Sequence, residues 1–240
     1  VEYVEIVISG RGTVAEIREK ALHAKHMADE AGLKVWSCHL PFSRKLDISV
    51  LNDSARMANL EFLTEMIAIC GELGPKKLVL HPSSEPIADA EREQRILNSI
   101  ASIGVLREAA ACIGAELCIE ELPRTCLGRN STELLRIIAP YPDVKICFDT
   151  NHLLSEGLLH FVETCGDRIA TVHVSDYDMI DERHWFPGKG KIDWPALYRA
   201  LMKVGYKGVF MYELKRGEGS FSEMDGYRRC KDKIIFLWIL

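Results

Sequence analysis

Short apolar runs alternate with longer stretches whose apolar positions recur at helical spacing, and this alternation sets the reading of the chain. Tyr3 to Ile8 has the pattern of a buried strand, and Thr13 to Ala31 that of a helix stopping at Gly32. The pair then repeats. Leu33 to Leu40 leads into a helix over Ser49 to Leu73 closed by Gly74-Pro75, and Lys77 to His81 into a helix over Ala88 to Ile113. Glu116 to Glu120 precedes a helix that Ser131 is placed to cap, and Val144 to Asp149 precedes one around Gly157 to Cys165. Ile169 to Val174 runs into the longest loop, Ser175 to Ile192, after which Asp193-Trp194-Pro195 opens a helix. Gly208 to Glu213 is the last strand pattern, and a terminal helix is expected after it, with Ile234 to Leu240 as its core face.

Seven strand and helix units in this order predict a parallel sheet covered by helices. No GxGxxG turn follows the first strand, and polar residues close nearly every strand, which favours a (β/α)8 barrel over an open doubly wound sheet. A barrel of eight units leaves one unaccounted for, so the first strand and helix are expected ahead of Val1, and residues 1–240 are read as a single barrel domain.

Composition narrows the function class. A net charge of −5 and a pI near 5.9 exert no global pull on nucleic acid or anionic membrane, which favours a small-molecule partner. The longest apolar run, Ile234 to Leu240, is too short to cross a bilayer, where about 20 residues are needed. The eight cysteines show no CxxC pair and read as buried reduced thiols of a cytoplasmic protein.

The strand ends supply His39, His81, Glu120, Asp149, His173 and Glu213, and the loops add His152, Glu182 and His184. In a barrel these positions converge on one mouth. Each has a bland alternative: a hydrogen-bonded structural histidine, a surface glutamate pair at Glu120-Glu121, or a solvated loop at Asp176, Asp178, Asp181 and Glu182. Together they predict a metal site. Carboxylate and imidazole donors without thiolate suit Mn²⁺, Zn²⁺, Mg²⁺ or Co²⁺, and strand alternation turns Cys38 and Glu121 away from the mouth that His39 and Glu120 face. Trp36, Trp185 and Phe42 are candidates for a sugar-facing wall or for packing.

The stretches Cys38-His39-Leu40-Pro41-Phe42, Leu80-His81-Pro82, Ile119-Glu120, Phe148-Asp149-Thr150-Asn151-His152, Val172-His173-Val174-Ser175-Asp176, Pro187 to Trp194 and Tyr212-Glu213 resemble the xylose isomerase-like TIM barrel superfamily, in its sugar phosphate isomerase/epimerase branch. The resemblance implies one divalent cation on Glu120, Asp149, His173 and Glu213. It implies a sugar, sugar phosphate or polyol substrate, proton transfer by Glu120 and Glu213 through a metal-stabilised enediolate, and a homodimer. His39, His81, His152, Glu182 and His184 would then bind substrate or further metal. Cys126 and His184 stand where the ketose epimerases carry a glutamate and an arginine. The alternative within the superfamily resembles endonuclease IV, a phosphodiesterase with three zinc ions acting on abasic DNA, whose ligand set matches these residues with Glu182 in place of aspartate.

Overall fold

The computed structural model describes residues 2–215 and 234–236. Parallel strands β1 (Tyr3–Val7), β2 (Lys34–His39), β3 (Lys77–Leu80), β4 (Glu116–Glu120), β5 (Lys145–Asp149), β6 (Ile169–Val174) and β7 (Phe210–Tyr212) pair in chain order. Between them run α1 (Val14–Glu30), α2 (Asp53–Leu73), α3 (Asp89–Cys112), α4 (Ser131–Ile138), α5 (Leu158–Cys165) and α6 (Trp194–Lys203). This is the expected α/β barrel, nearly closed.

An eighth strand, β8 (Ile234–Phe236), pairs in parallel with β7 through Phe210 opposite Ile234. The run expected to form the core face of a last helix therefore contributes a strand; the β-branched pair Ile234-Ile235 suits that role. The eighth strand of the sheet lies after β7 and not ahead of β1, where the sequence count had placed it. Residues 216–233, where the terminal helix was expected to begin, lie outside the described residues.

Local chemistry explains the boundaries. Thr13 and Glu16 form a reciprocal capping box at the start of α1, and Gly74, at φ +70°, ends α2 in a left-handed turn. Asn130, one residue before the expected Ser131, caps α4 by accepting from Glu133 N; Ser131 instead donates to Glu156. Large apolar side chains fill the layer between strands and helices, including Phe148 stacked on Phe161 at 5.2 Å and Leu134, Ile137 and Ile138 of α4.

Two register shifts shape the inside of the barrel. Val4 and Glu5 face Val35 and Ser37, leaving Trp36 unmatched; Ile146 and Cys147 face Ile169 and Thr171, leaving Ala170 unmatched. Each extra residue is a bulge that re-aims the residues around it. Trp36 donates to Thr171 Oγ1 at 3.1 Å, near the strand starts and away from the mouth, while Ala170 packs on Val79, Cys118 and Cys147. The described cysteines are free thiols and are buried, except that Cys112 is exposed. Among the described residues no helix is long and apolar enough to cross a membrane.

Candidate metal centre and active site

All the predicted site residues come together at the carboxyl ends of the strands, in overlapping groups whose donor atoms lie within 4.8 Å of one another. Glu120, Asp149, His173 and Glu213 form one group; His39 and His81 share Glu120 in a second; His152, Glu182 and His184 make a third. Glu120 is the hub. Its Oε1 lies 3.2 Å from His173 Nδ1, and its Oε2 lies 3.2 Å from His39 Nε2 and 3.0 Å from His81 Nε2.

Burial works to raise the Glu120 carboxyl, but the surrounding imidazoles, His173 foremost, outweigh it and hold the group well below the usual carboxylate range. The same contest goes differently at the two histidines beside it. At His39 the attraction of Glu120 overcomes burial and raises the imidazole, whereas at His81 burial prevails and lowers it.

Asp149 is fully buried, and burial, with Glu213 and Glu120 adding to it against the pull of His152, raises its carboxyl to about 6. Its Oδ1 accepts from Asn151 N at 2.6 Å, but Oδ2 has no hydrogen-bond partner. Glu213 Oε2 is orphaned in the same way: it lies 2.8 Å from His173 Nδ1 without the angle of a hydrogen bond. Buried carboxylate oxygens left bare beside an imidazole nitrogen are costly in a folded chain unless something positive meets them. Glu120, Asp149, His173 and Glu213 thus fit a hard or borderline divalent cation by donor type and by their unmet oxygens.

Three of the histidines are anchored through Nδ1. His39 Nδ1 donates to Leu40 O at 2.9 Å, His152 Nδ1 to Glu121 O at 2.8 Å and His184 Nδ1 to Glu213 O at 3.2 Å, which turns each Nε2 toward the carboxylates. Glu182 Oε1 sits 3.2 Å from His152 Nε2 and 3.8 Å from His184 Nε2. Although burial opposes it, the Glu182, Asp149 and Glu213 charges push His184 up to about 9.

Several residues that build the site were not read from the sequence. Glu121, which strand alternation turned away from the mouth, is wholly buried; its Oε1 accepts from Asp149 N at 2.7 Å, and burial raises its carboxyl well above the usual range. Asp176, read as part of a solvated loop, is also buried and accepts from Gly188 N, Ile192 N and the Trp194 indole at 2.7, 3.2 and 2.9 Å. That carboxylate ties the long loop to the start of α6. Asn151 Oδ1 accepts from Arg183 N at 3.1 Å, fixing the loop next to His184. Arg124, at φ +53°, joins three loops by pairing with Glu85, Asp181 and Glu182. Phe42 is exposed at the mouth and stacks on His81 at 4.0 Å, whereas Trp36 lies too deep to line the site.

Known proteins share this architecture. A ketose 3-epimerase from Arthrobacter globiformis is 25% identical over 79% of this chain and 66% of its own length. Among solved structures, a D-tagatose 3-epimerase-like protein superposes with a TM-score of 0.81 at 23% identity, covering 95% of this chain and 89% of that one. D-psicose 3-epimerase, crystallised in the presence of D-fructose, superposes with a TM-score of 0.72 at 20% identity, covering 93% and 78%. The model of the xylose isomerase-like TIM barrel family matches residues 1–230, and the chain belongs to that family.

Proposed function

We propose that the chain is a divalent metal-dependent isomerase or epimerase of a sugar, free or phosphorylated, with Glu120 and Glu213 as the proton-transferring groups. The observation that carries this reading is the pair of orphaned oxygens, Asp149 Oδ2 and Glu213 Oε2, in one donor group with Glu120 and His173. Glu120, Asp149, His173 and Glu213 would hold the cation. It would supply Lewis acidity where negative charge gathers on the substrate's carbonyl and neighbouring hydroxyl oxygens.

The chain's own residues divide the remaining work. Glu120 and Glu213 both approach the same imidazole nitrogen, His173 Nδ1, at 3.2 and 2.8 Å, so a sugar carbon seated beside it would have two carboxylates within reach. One carboxylate takes the proton from the carbon beside the carbonyl and the other returns one to the opposite face of the same carbon, which inverts it; return to the carbonyl carbon, with the hydroxyl proton passing to the carbonyl oxygen, moves the carbonyl along the chain instead. Glu213 is held down at about 2, and the imidazoles around Glu120 hold its carboxyl well below the usual range, so both are ionised and ready to accept at neutral pH. His39, His81, His152 and His184 orient substrate hydroxyls, and the exposed Phe42 ring offers an apolar face to the sugar.

The test is solvent exchange. With Mn²⁺ or Co²⁺ in deuterated water, one member of a panel of ketoses, their phosphates and polyol derivatives gains deuterium beside its carbonyl. No exchange across such a panel by metal-loaded protein defeats the reading.

A second reading is favoured by one observation, the separate His152, Glu182 and His184 group beside the other two. Two donor groups that share Glu120, with this third group beside them, suit a phosphodiesterase with three zinc ions acting on abasic DNA. Against it, the second oxygen of Glu182 is taken up by Arg124. Metal content separates the two: one ion per chain favours the isomerase and three the nuclease.

A further inference from the structure

We infer that Glu5, on the first strand of the barrel, is the residue that positions His173 as a metal ligand through Nδ1; this rests on the metal-dependent reading above. The four histidines that share the mouth with it present Nε2 to the carboxylates, and three of them, His39, His152 and His184, have Nδ1 tied to a backbone carbonyl. His173 is reversed. Its Nδ1 faces Glu120, Glu213 and Asp149 at 3.2, 2.8 and 4.0 Å, and its Nε2 lies 3.2 Å from Glu5 Oε2. The backing group is a carboxylate, and it is itself held: Ser37 Oγ donates to the same Oε2 at 2.6 Å.

The physical consequence follows from the ring. To ligate through Nδ1 the imidazole must keep that lone pair free and carry its proton on Nε2, and a carboxylate placed behind Nε2 stabilises that tautomer while making Nδ1 a stronger donor. Glu5 and His173 are both buried, so little water competes for this contact. Packing gives no reason for an acid here: Glu5 interrupts the apolar run Tyr3-Val4-Glu5-Ile6-Val7, and inside a barrel branched aliphatic side chains are the usual filling. The bulge beside it, which leaves Trp36 unmatched, sets Ser37 opposite Glu5. Glu5 therefore ranks the donor groups. The one containing His173 is backed by a charge, those containing His39, His152 and His184 by neutral carbonyls, and the first ion taken up goes to the Glu5-backed group.

The experiment uses Zn²⁺ as the probe, with affinity read by competition against a chromophoric chelator for the wild type, Glu5→Gln, Glu5→Ala and Ser37→Ala. Both Glu5 variants are expected to bind the first zinc about 10 to 100 times more weakly, with Ser37→Ala shifted in the same direction by less. Nitrogen NMR of the zinc-loaded wild type, which needs no variant, is expected to show His173 metallated at Nδ1 and protonated at Nε2. Zinc on Nε2, or Glu5→Ala binding within twofold of the wild type, overturns the role of Glu5 and leaves the metal site standing. A wild type that binds no zinc overturns the metal reading and this inference with it.

Discussion

Along β5 the outward residues Ile146 and Phe148 and the inward residues Cys147 and Asp149 are equally buried, yet they lie in opposite environments. Phe148 meets the ring of Phe161 and an apolar layer in which size and shape decide stability. Asp149, on the other face, meets carboxylates and histidines and keeps one oxygen without a partner. The difference separates two uses of burial. Outside the barrel, burial removes apolar surface from water; inside its mouth, burial concentrates charges that attract or repel one another strongly and leaves carboxylate oxygens without hydrogen-bond partners.

Substitutions on the two faces should therefore fail in different ways. The largest effect is expected at the mouth. Glu213→Gln should lower turnover by about 10³-fold, as loss of a general acid-base group does, while the thermal unfolding midpoint of the metal-free protein falls only modestly, through the lost attraction between the Glu213 charge and His173. A variant that unfolded easily yet kept turnover per folded molecule would break the comparison.

Next comes the outer layer. Phe161→Ala should cost about 3–5 kcal/mol of stability, read by denaturant unfolding, and leave zinc affinity of the folded fraction unchanged.

A smaller, graded effect is expected from pH. Asp149, with its carboxyl raised to about 6, holds a proton below that pH, and His173, whose imidazole Cys147, Glu5, Glu120 and Glu213 raise against burial, holds one to higher pH; a cation must displace whichever is bound. An acid raised above its unfolded value stabilises the metal-free fold at low pH and loses that contribution as pH rises through about 6; a raised histidine acts in the same direction, losing its contribution above its own folded value. Metal affinity should thus climb with pH, by about tenfold per unit for each proton released, and the upward shift in unfolding temperature on adding metal should be larger at neutral than at acid pH. Isothermal titration in buffers of different ionisation enthalpy counts the protons.

The smallest effect is expected at the rim. Arg124→Ala removes ion pairs from a side chain that is 41% exposed, so stability should change by less than about 1 kcal/mol. The Michaelis constant should change more than the turnover number, because Arg124 ties together loops that border the mouth.

The same two faces explain what the sequence made legible. The alternation of strands and helices, and the polar residue closing nearly every strand, follow from local pattern, and they located His39, His81, Glu120, Asp149, His173 and Glu213. Glu121 escaped because strand alternation turns it away from the mouth but does not show that its carboxylate reaches the backbone of the next strand, at Asp149 N. Asp176 escaped for a related reason: in sequence it is one of several loop acids, and only the folded loop brings Gly188, Ile192 and Trp194 back to it. Glu5 did leave a signal, a lone acid within an apolar strand, but its meaning depends on the bulge at Trp36 and on a partner far along the chain, His173. The strand Ile234–Phe236 reads as well as a helix face, since a short apolar run has no period of its own.

The central claim is that the mouth holds one divalent cation on Glu120, Asp149, His173 and Glu213, and metal stoichiometry tests it most directly. Native mass spectrometry of the wild type after exposure to Mn²⁺ and removal of excess should show one ion per chain, and Asp149→Ala, with its fold confirmed by circular dichroism, should show none. A wild type that holds no ion, or an Asp149→Ala chain that retains its ion in full, would contradict the account.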